Sequence, residues 1–152
     1  GKQGVGYPVI VLRDELISIL GADREMSIAI FGVGELGTAL TRYLTSRRKI
    51  TPDYRFVVTG LFDIDQKKIG TSLEGIGIRH TGDLPEIMRQ EEIKIGVITV
   101  PASSAQETVS FAVSCGIKGF LNFAPVRLRV PDSVRVQNSD VTLDLQELAF
   151  YL

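Results

Sequence analysis

Short apolar runs alternate with amphipathic segments along the chain, and glycine, proline or charged residues separate them. The apolar runs predict strands over residues 27–31, 55–62, 76–78, 94–100, 119–123 and 134–136. Apolar positions at helical spacing predict helices over residues 9–20, 36–48, 84–92, 103–115 and 140–152. Segments 55–62 and 94–100 are apolar almost throughout, as in a sheet covered on both faces. The alternation therefore predicts an α/β domain with a doubly wound, mainly parallel sheet.

The same pattern divides the 152 residues into three parts. We expect residues 1–24 to be a linker and an N-terminal helix, residues 25–138 the sheet domain, and residues 139–152 a C-terminal helix. The chain does not begin with Met, and its first residues resemble the end of a linker. We therefore expect it to be part of a longer protein.

The C-terminal helix is apolar on more than one side. One stripe consists of Val141, Leu145, Leu148 and Leu152, and the opposite side carries further apolar residues. Such a terminal helix needs more cover than one domain edge offers. The pattern predicts docking into a second copy of the chain, with burial in its own domain as the alternative.

A glycine-rich turn, GVGELG over residues 32–37, follows the first predicted strand and opens a helix. In this context Gly32 permits a tight turn, Gly34 lets the backbone approach a pyrophosphate, and Gly37 lets the helix pack close to the strand. The free N–H groups at the start of the helix would face the anion. The turn predicts a Rossmann-type dinucleotide site, and an ordinary turn without a ligand is the alternative.

An acidic residue, Asp63, ends the second predicted sheet strand, 26 positions after Gly37. A carboxylate there accepts hydrogen bonds from a ribose 2′-OH and repels a 2′-phosphate, which favours NAD(H) over NADP(H). Asp65 could compete for this role, and the alternative for either acid is a helix N-cap. Lys67 and Lys68 could soften the repulsion of a 2′-phosphate, but they are expected to be solvated.

Two further strand ends, residues 99–102 (TVPA) and 122–125 (NFAP), are expected at the same edge of the sheet. Ligands of open parallel sheets bind outside the carboxyl ends of the strands. Thr99, Asn122 and Phe123 are therefore candidates to line the nicotinamide end of the site. Two plain loop boundaries, each marked by a proline, are the alternative.

Composition excludes several kinds of function. The chain has 17 Lys plus Arg against 18 Asp plus Glu, so it lacks the basic excess of a domain that grips DNA by itself. With one histidine (His80) and one cysteine (Cys115), a metal site made of several such residues is not expected. Cys115 is interpreted as a packing residue, and His80 as a surface or adenine-side residue.

No His, Lys or Tyr stands at either strand end, so no catalytic residue is assigned. No apolar run is long enough for a membrane span, and we expect a cytoplasmic protein.

The whole chain resembles the bacterial redox-sensing transcriptional repressor Rex. The motifs that carry the resemblance are GKQGVGY, GVGELG, LFDID, TVPA, GIKGFLNFAPV and the closing DVTLDLQELAFYL. The resemblance implies a homodimer with exchanged C-terminal helices and an NADH/NAD+ sensor without catalysis. NADH would release operator DNA bound by a winged-helix domain that precedes this region and is not in the chain.

The resemblance also implies a role for individual residues. Those assigned to the cofactor are Gly32, Val33, Gly34, Glu35, Leu36, Gly37, Asp63, Ile64, Thr99, Val100, Pro101, Asn122, Phe123, Ala124 and Pro125. Tyr7 and Asp140 resemble a pair that changes partners between the two states. Val141 stands where some members carry an aromatic residue that reaches the partner's nicotinamide. Glu35 departs from the family pattern, and a carboxylate there would weaken pyrophosphate binding unless it turns away.

Two other functional classes stay open at this point. One is the nucleotide-binding part of an NAD-dependent oxidoreductase, which the missing acid–base group disfavours. The other is a coenzyme A-binding domain, which has a similar fold and glycine turn. Asp63 does not exclude coenzyme A, because that ligand carries its ribose phosphate on the 3′ position.

Overall fold

The computed structural model describes residues 25–51 and 53–152. In this part of the chain, the strands are β1 (Met26–Phe31), β2 (Phe56–Asp63), β3 (Ser72–Leu73), β4 (Ile76–His80), β5 (Ile95–Ile98), β6 (Gly119–Asn122) and β7 (Arg135–Asn138). The helices are α1 (Glu35–Ile50), α2 (Leu84–Gln90), α3 (Ala102–Ser114) and α4 (Val141–Phe150), and a single 3₁₀ turn covers Thr81–Asp83.

The strands form one sheet in the order β3-β4-β2-β1-β5-β6-β7. All neighbours are parallel except β3 and β4, which form a short antiparallel hairpin at one edge. Without the short edge strand β3, the order β4-β2-β1-β5-β6-β7 is that of a dinucleotide-binding sheet, in which the direction of growth reverses beside the first strand. The predicted doubly wound, mainly parallel sheet is confirmed.

Alternate residues of β1 face opposite layers of core. Ile28 and Ile30 pack with Leu40 and Leu44 of α1 on one face. Ala29 and Phe31 belong to the other core layer, to which α2 and α3 contribute. The predicted cover on both faces of the central strands is present, and it explains why these strands are apolar almost throughout.

Element bounds differ from the predicted ones mainly at the ends. The strand predicted over residues 94–100 stops at Ile98, because residues 99–101 leave the sheet to form part of a cleft. The strand β3 was not predicted, because two residues are too few to show a period. A hairpin turn at Glu74 and Gly75, both with positive φ, joins it to β4.

The two ends of the chain carry the residues predicted to form the dimer and the pair that changes partners. The helix predicted over residues 9–20 and Tyr7 lie outside the described residues. Helix α4 ends at Phe150, so Leu152 lies beyond the helix, although the sequence predicted a helix as far as residue 152. Its apolar stripe is exposed: Val141, Leu145 and Leu148 are 64%, 59% and 58% accessible. Burial of α4 against the described part of its own domain is therefore not found.

Among the described residues, none of the helices combines the length and the apolar character that crossing a membrane requires. No group of three or more His, Cys, Asp or Glu residues in this part of the chain is placed to hold a metal ion.

Candidate dinucleotide-binding site

A cleft of about 1020 Å³ lies across the carboxyl ends of β1, β2, β5 and β6. Its volume is at the upper end of the range for small-molecule sites, which suits an extended ligand. One half is lined by the glycine turn, by residues after β2 and by Thr81 and Gly82 after β4. The other half is lined by residues 99–102, residues 123–125 and one face of α3. We call these the adenosine half and the nicotinamide half, after the parts of a dinucleotide that they would contact.

Two glycines of the turn are required by packing within the protein. Gly32 has φ +98°, and a Cβ there would lie 2.8 Å from the backbone carbon of Thr99. A Cβ on Gly37 would collide with the Gly32 carbonyl. These contacts explain the tight turn and the close approach of α1 to β1.

Gly34 differs from its two neighbours in the motif. It lines the cleft, and a Cβ there would meet no protein atom within 4 Å. Its φ of −87° is accessible to any residue. Nothing in the described protein therefore requires glycine at this position, and the space beside it is open for a ligand.

The N-terminus of α1 is left without a side-chain cap. Gly34 is the N-cap residue and provides no side-chain hydrogen bond. The first N–H groups of a helix have no partner inside the helix, so they are available to an anion in the cleft. Glu35 is exposed and is not among the residues that line the cleft.

Thr99 fastens the glycine turn from the neighbouring strand. Its hydroxyl lies 2.6 Å from the Gly32 carbonyl oxygen and 3.0 Å from that of Phe31. Thr99 also lines the cleft. The sequence predicted a place in the cleft for Thr99 but not this bond to the turn.

Asp63 joins the end of β2 to the glycine turn. Its Oδ2 accepts a hydrogen bond from the Val33 N–H at 2.8 Å. Its Oδ1 accepts from the N–H groups of Ile64 and Asp65 at 2.8 and 2.9 Å. No described helix begins here, so the alternative role as a helix N-cap does not apply. The carboxylate lines the adenosine half, where a ribose hydroxyl could donate to its remaining lone pairs.

Lys68 holds the other side of Val33. Its Nζ donates to the Val33 carbonyl oxygen at 2.8 Å, and its side chain lines the adenosine half. The expectation that Lys68 is solvated was wrong, because the turn after β2 folds back over the glycine turn. Lys67 is exposed, as expected.

The nicotinamide half is formed largely by Val100, Pro101, Phe123, Ala124 and Pro125. Helix α3 adds four residues to this wall that were not predicted, namely Ser104, Glu107, Thr108 and Phe111. Their spacing of three, one and three positions is that of one helix face. This periodicity was visible in the sequence, but the side of α3 that faces the cleft was not.

Asn122 does not line the cleft, contrary to the prediction. It is 1% exposed, and its side-chain nitrogen lies 3.1 Å and 3.2 Å from the carbonyl oxygens of Ala124 and Val126. Its Oδ1 accepts from the Ala124 N–H at 3.0 Å. Asn122 therefore shapes the loop that carries Phe123, Ala124 and Pro125. Val33 is likewise buried, and its backbone rather than its side chain serves the site.

The remaining assigned residues occupy varied positions. Leu36 and Ile64 line the cleft with their side chains exposed. The exposed His80 accepts a hydrogen bond from the Gly82 N–H at 2.9 Å, beside the adenosine half. Cys115 is half-buried and packs against the core, as expected. Asp140 caps α4 by accepting from the Leu143 N–H at 3.1 Å.

Sheet order, glycine turn, uncapped helix and acidic residue define a Rossmann-type dinucleotide-binding domain. The model of the CoA binding domain family matches residues 23–126. The redox-sensing transcriptional repressor Rex of Natranaerobius thermophilus is 42% identical over 99% of this chain and 67% of its own length. The Rex of Syntrophobacter fumaroxidans is 40% identical over the full chain and 70% of its own length.

A solved structure extends this similarity. RSP, a Rex-family repressor, matches with a TM-score of 0.80 and 29% identity over 94% of this chain and 66% of that one. RSP has also been solved in complex with beta-NADH, and with beta-NAD+ and operator DNA. The chain spans about two thirds of the length of these relatives.

The chain belongs to the CoA binding domain family and, more narrowly, to the Rex family of redox-sensing transcriptional repressors. The predicted resemblance is thereby confirmed. The relatives are named as repressors, in agreement with the expectation of a protein that is not an enzyme.

Proposed function

We propose that this chain is the NADH/NAD+-sensing and dimerisation part of a transcriptional repressor. NADH or NAD+ occupies the cleft, and NADH binding releases operator DNA held by a separate N-terminal winged-helix domain. The complexes of RSP with beta-NADH, and with beta-NAD+ and operator DNA, support both ligands and the DNA. In this proposal residues 1–24 connect the two domains, residues 25–138 bind the cofactor, and residues 139–152 form the dimer helix.

The observation that carries the proposal is the unequal character of the cleft. The adenosine half offers charged groups and backbone donors, and the nicotinamide half is mainly apolar around Phe123, Ala124 and Pro125. NAD+ differs from NADH by a positive charge on the nicotinamide ring. The apolar part of this wall disfavours that cation, because it offers no partner that compensates for removal from water, and the exposed Glu107 carboxylate offsets this only partly. The cleft therefore favours NADH, as a redox sensor requires.

Calorimetric titration of the purified chain tests this proposal. We expect NADH to bind at least about tenfold more tightly than NAD+, a difference of about 1.4 kcal/mol. Equal affinities would remove the basis for redox sensing and favour the oxidoreductase fragment. Because the chain matches the CoA binding domain family, coenzyme A is titrated in parallel. Binding of coenzyme A without NADH would overturn the sensor and favour that ligand class.

We also propose that α4 docks into a second copy of the chain. Its exposed leucines support this arrangement, since Leu145 and Leu148 are more than half accessible on a helix that buries no residue in the described chain. Residues of this kind on one helix face are typical of a buried interface. The exchange of helices between subunits would give each cleft a neighbour from the partner chain.

Sedimentation of the double variant Leu145→Glu/Leu148→Glu tests the dimer. We expect the wild-type chain to sediment as a dimer and the variant as a monomer, because two carboxylates would be buried without partners. Gln146→Glu, on the same helix, adds a charge outside the stripe and serves as the control. A dimeric double variant would show that the interface lies elsewhere.

A coupling of dimer and cofactor through Asp140 completes the proposal. Asp140 caps α4, and an exchange of partners with Tyr7 would remove the cap bond to Leu143. Loss of an N-cap costs about 1 kcal/mol of helix stability, which is enough to bias an equilibrium between two dimer arrangements. Val141 is 64% exposed at the start of α4 and cannot stack as an aromatic residue would.

A further inference from the structure

Lys68 places a positive charge in the adenosine half of the cleft. Its ammonium group donates to the Val33 carbonyl oxygen at 2.8 Å, and the side chain is half-buried along the wall. Ion pairs within the described residues join Arg48 to Glu25, Arg79 to Asp83 and Lys94 to Glu92, and none of them includes Lys68. Its charge is therefore not compensated by a carboxylate within the described residues.

The charge of Asp63 is in a different situation. Its two carboxylate oxygens accept hydrogen bonds from three backbone N–H groups, those of Val33, Ile64 and Asp65. Such bonds stabilise the carboxylate and reduce the potential that it presents to a ligand. Asp63 and Lys68 also hold the same residue, because one accepts from the Val33 N–H and the other donates to the Val33 carbonyl. The carboxylate and the ammonium group thus flank one stretch of the glycine turn.

We propose that Lys68 is a second determinant of cofactor specificity, opposing Asp63 in the response of the site to a phosphate on the adenosine ribose. This inference rests on the proposed binding of a dinucleotide in the cleft. An ammonium group has three N–H donors, and the Val33 carbonyl takes one of them. The other two can face a phosphate oxygen. Asp63 repels a ribose phosphate, Lys68 attracts it, and the balance of the two sets how strongly NADPH is rejected.

The test compares the affinities of NADH and NADPH in variants of Lys68. Lys68→Gln keeps an N–H donor without the charge, and Lys68→Met removes both. We expect each variant to lose about fivefold more affinity for NADPH than for NADH, the size of one partly exposed charge interaction. Lys68→Arg keeps the charge and is expected to leave the ratio of affinities within about twofold of the wild type. Lys67→Met removes the exposed neighbouring charge and is the matched control.

The ratio of the NADPH and NADH affinities distinguishes a change of cofactor specificity from a general loss of folding. Loosening of the glycine turn would weaken both cofactors equally, so it would leave the ratio unchanged, and thermal unfolding reports whether each variant is folded. If wild-type chain binds NADH but the neutral Lys68 variants give the ratio of Lys67→Met, the role of Lys68 is overturned. If the wild-type chain does not bind NADH, the proposed function fails instead.

The effect of Lys68 on the NADPH/NADH affinity ratio should be larger when Asp63 is also replaced. In Asp63→Asn the repulsion is removed, and we expect NADPH to gain about tenfold relative to NADH, since the affected interaction involves two charges. Adding Lys68→Gln should cancel most of that gain. Titration with 2′,5′-ADP and 3′,5′-ADP then identifies the phosphate that Lys68 contacts, and a loss for either one supports the inference. Retention of the full gain in the double variant would overturn it.

Discussion

The two halves of the cleft hold a ligand by different means. In the adenosine half, Asp63 and Lys68 make direct hydrogen bonds to the glycine turn, and α1 presents uncapped N–H groups. In the nicotinamide half, apolar residues predominate, and the loop that carries them is shaped by the buried Asn122. One half is a set of specific polar contacts, whereas the other is mainly an apolar wall.

This difference suggests how one cleft can both bind and discriminate. NADH and NAD+ share their adenosine and pyrophosphate groups, so contacts in the adenosine half contribute equally to both affinities. The two forms differ at the nicotinamide ring, so discrimination arises in the other half. Changes in the adenosine half should alter the affinities for NADH and NAD+ equally and leave their ratio unchanged. Changes in the nicotinamide half should alter the two affinities unequally and so shift the ratio.

The largest effect is expected from Gly34→Ala. The added methyl group meets no protein atom but points into ligand space, and it would keep the pyrophosphate from the start of α1. Loss of two hydrogen bonds to a charged group costs about 3 kcal/mol, or about 100-fold in affinity. Calorimetry should show this loss for NADH and NAD+ alike, with an unchanged thermal unfolding temperature.

Gly37→Ala is the matched control for that variant. Its methyl group would collide with the Gly32 carbonyl, so we expect a destabilisation of about 1–3 kcal/mol. Thermal unfolding should therefore separate the two glycines. A strongly destabilised Gly34→Ala would show that this residue, too, is required by the protein rather than by the ligand.

An intermediate effect is expected from Asp63→Asn. A ribose hydroxyl bound to a carboxylate is held about 1 kcal/mol more tightly than one bound to an amide. Asn also has one acceptor oxygen where Asp63 uses two, so a backbone hydrogen bond is lost as well, and both NADH and NAD+ should lose at least about fivefold to tenfold in affinity. Fluorescence titration of NADH, and competition by NAD+, would measure both constants. Asp65→Asn, which alters a second carboxylate of the cleft wall, should have little effect. A shift of the NADH/NAD+ ratio by Asp63→Asn would contradict the division between the halves.

The smallest effect is expected from Glu107→Gln. Glu107 is the charged residue of the nicotinamide half among the described residues, and its exposed carboxylate favours the cationic NAD+. Removing that charge should increase the preference for NADH by about twofold, because solvent screens an exposed group. Glu86→Gln, on α2 and away from the cleft wall, is the control. A change equal for both cofactors would place Glu107 outside the region that discriminates.

Local sequence patterns predicted the fold and the centre of the site. The strand–turn–helix at residues 26–50, the acid at Asp63 and the strand ends at Thr99 and Phe123 all follow from rules that act over short distances. The same rules could not predict what Lys68 or Thr99 touches. Their partners, Val33 and Gly32, are 35 and 67 positions away in the chain.

Asn122 shows the limit of position as a guide. Its place at a strand end is equally suited to lining the cleft or to ordering the loop behind it, and only the direction of the side chain separates these roles. The face of α3 is a similar case, since its periodicity identifies Ser104, Glu107, Thr108 and Phe111 as one stripe without saying what the stripe faces.

By itself, the sequence determined the alternation of strands and helices, the glycine turn and the acid after β2, because periodicity and turn chemistry are properties of neighbouring residues. The tertiary structure decided that Asp63 and Lys68 hold one residue of the turn, that Asn122 is buried and that the described part of the domain does not cover α4. These outcomes depend on which distant segments the sheet order brings together, and the energies of such contacts have no local signature along the chain.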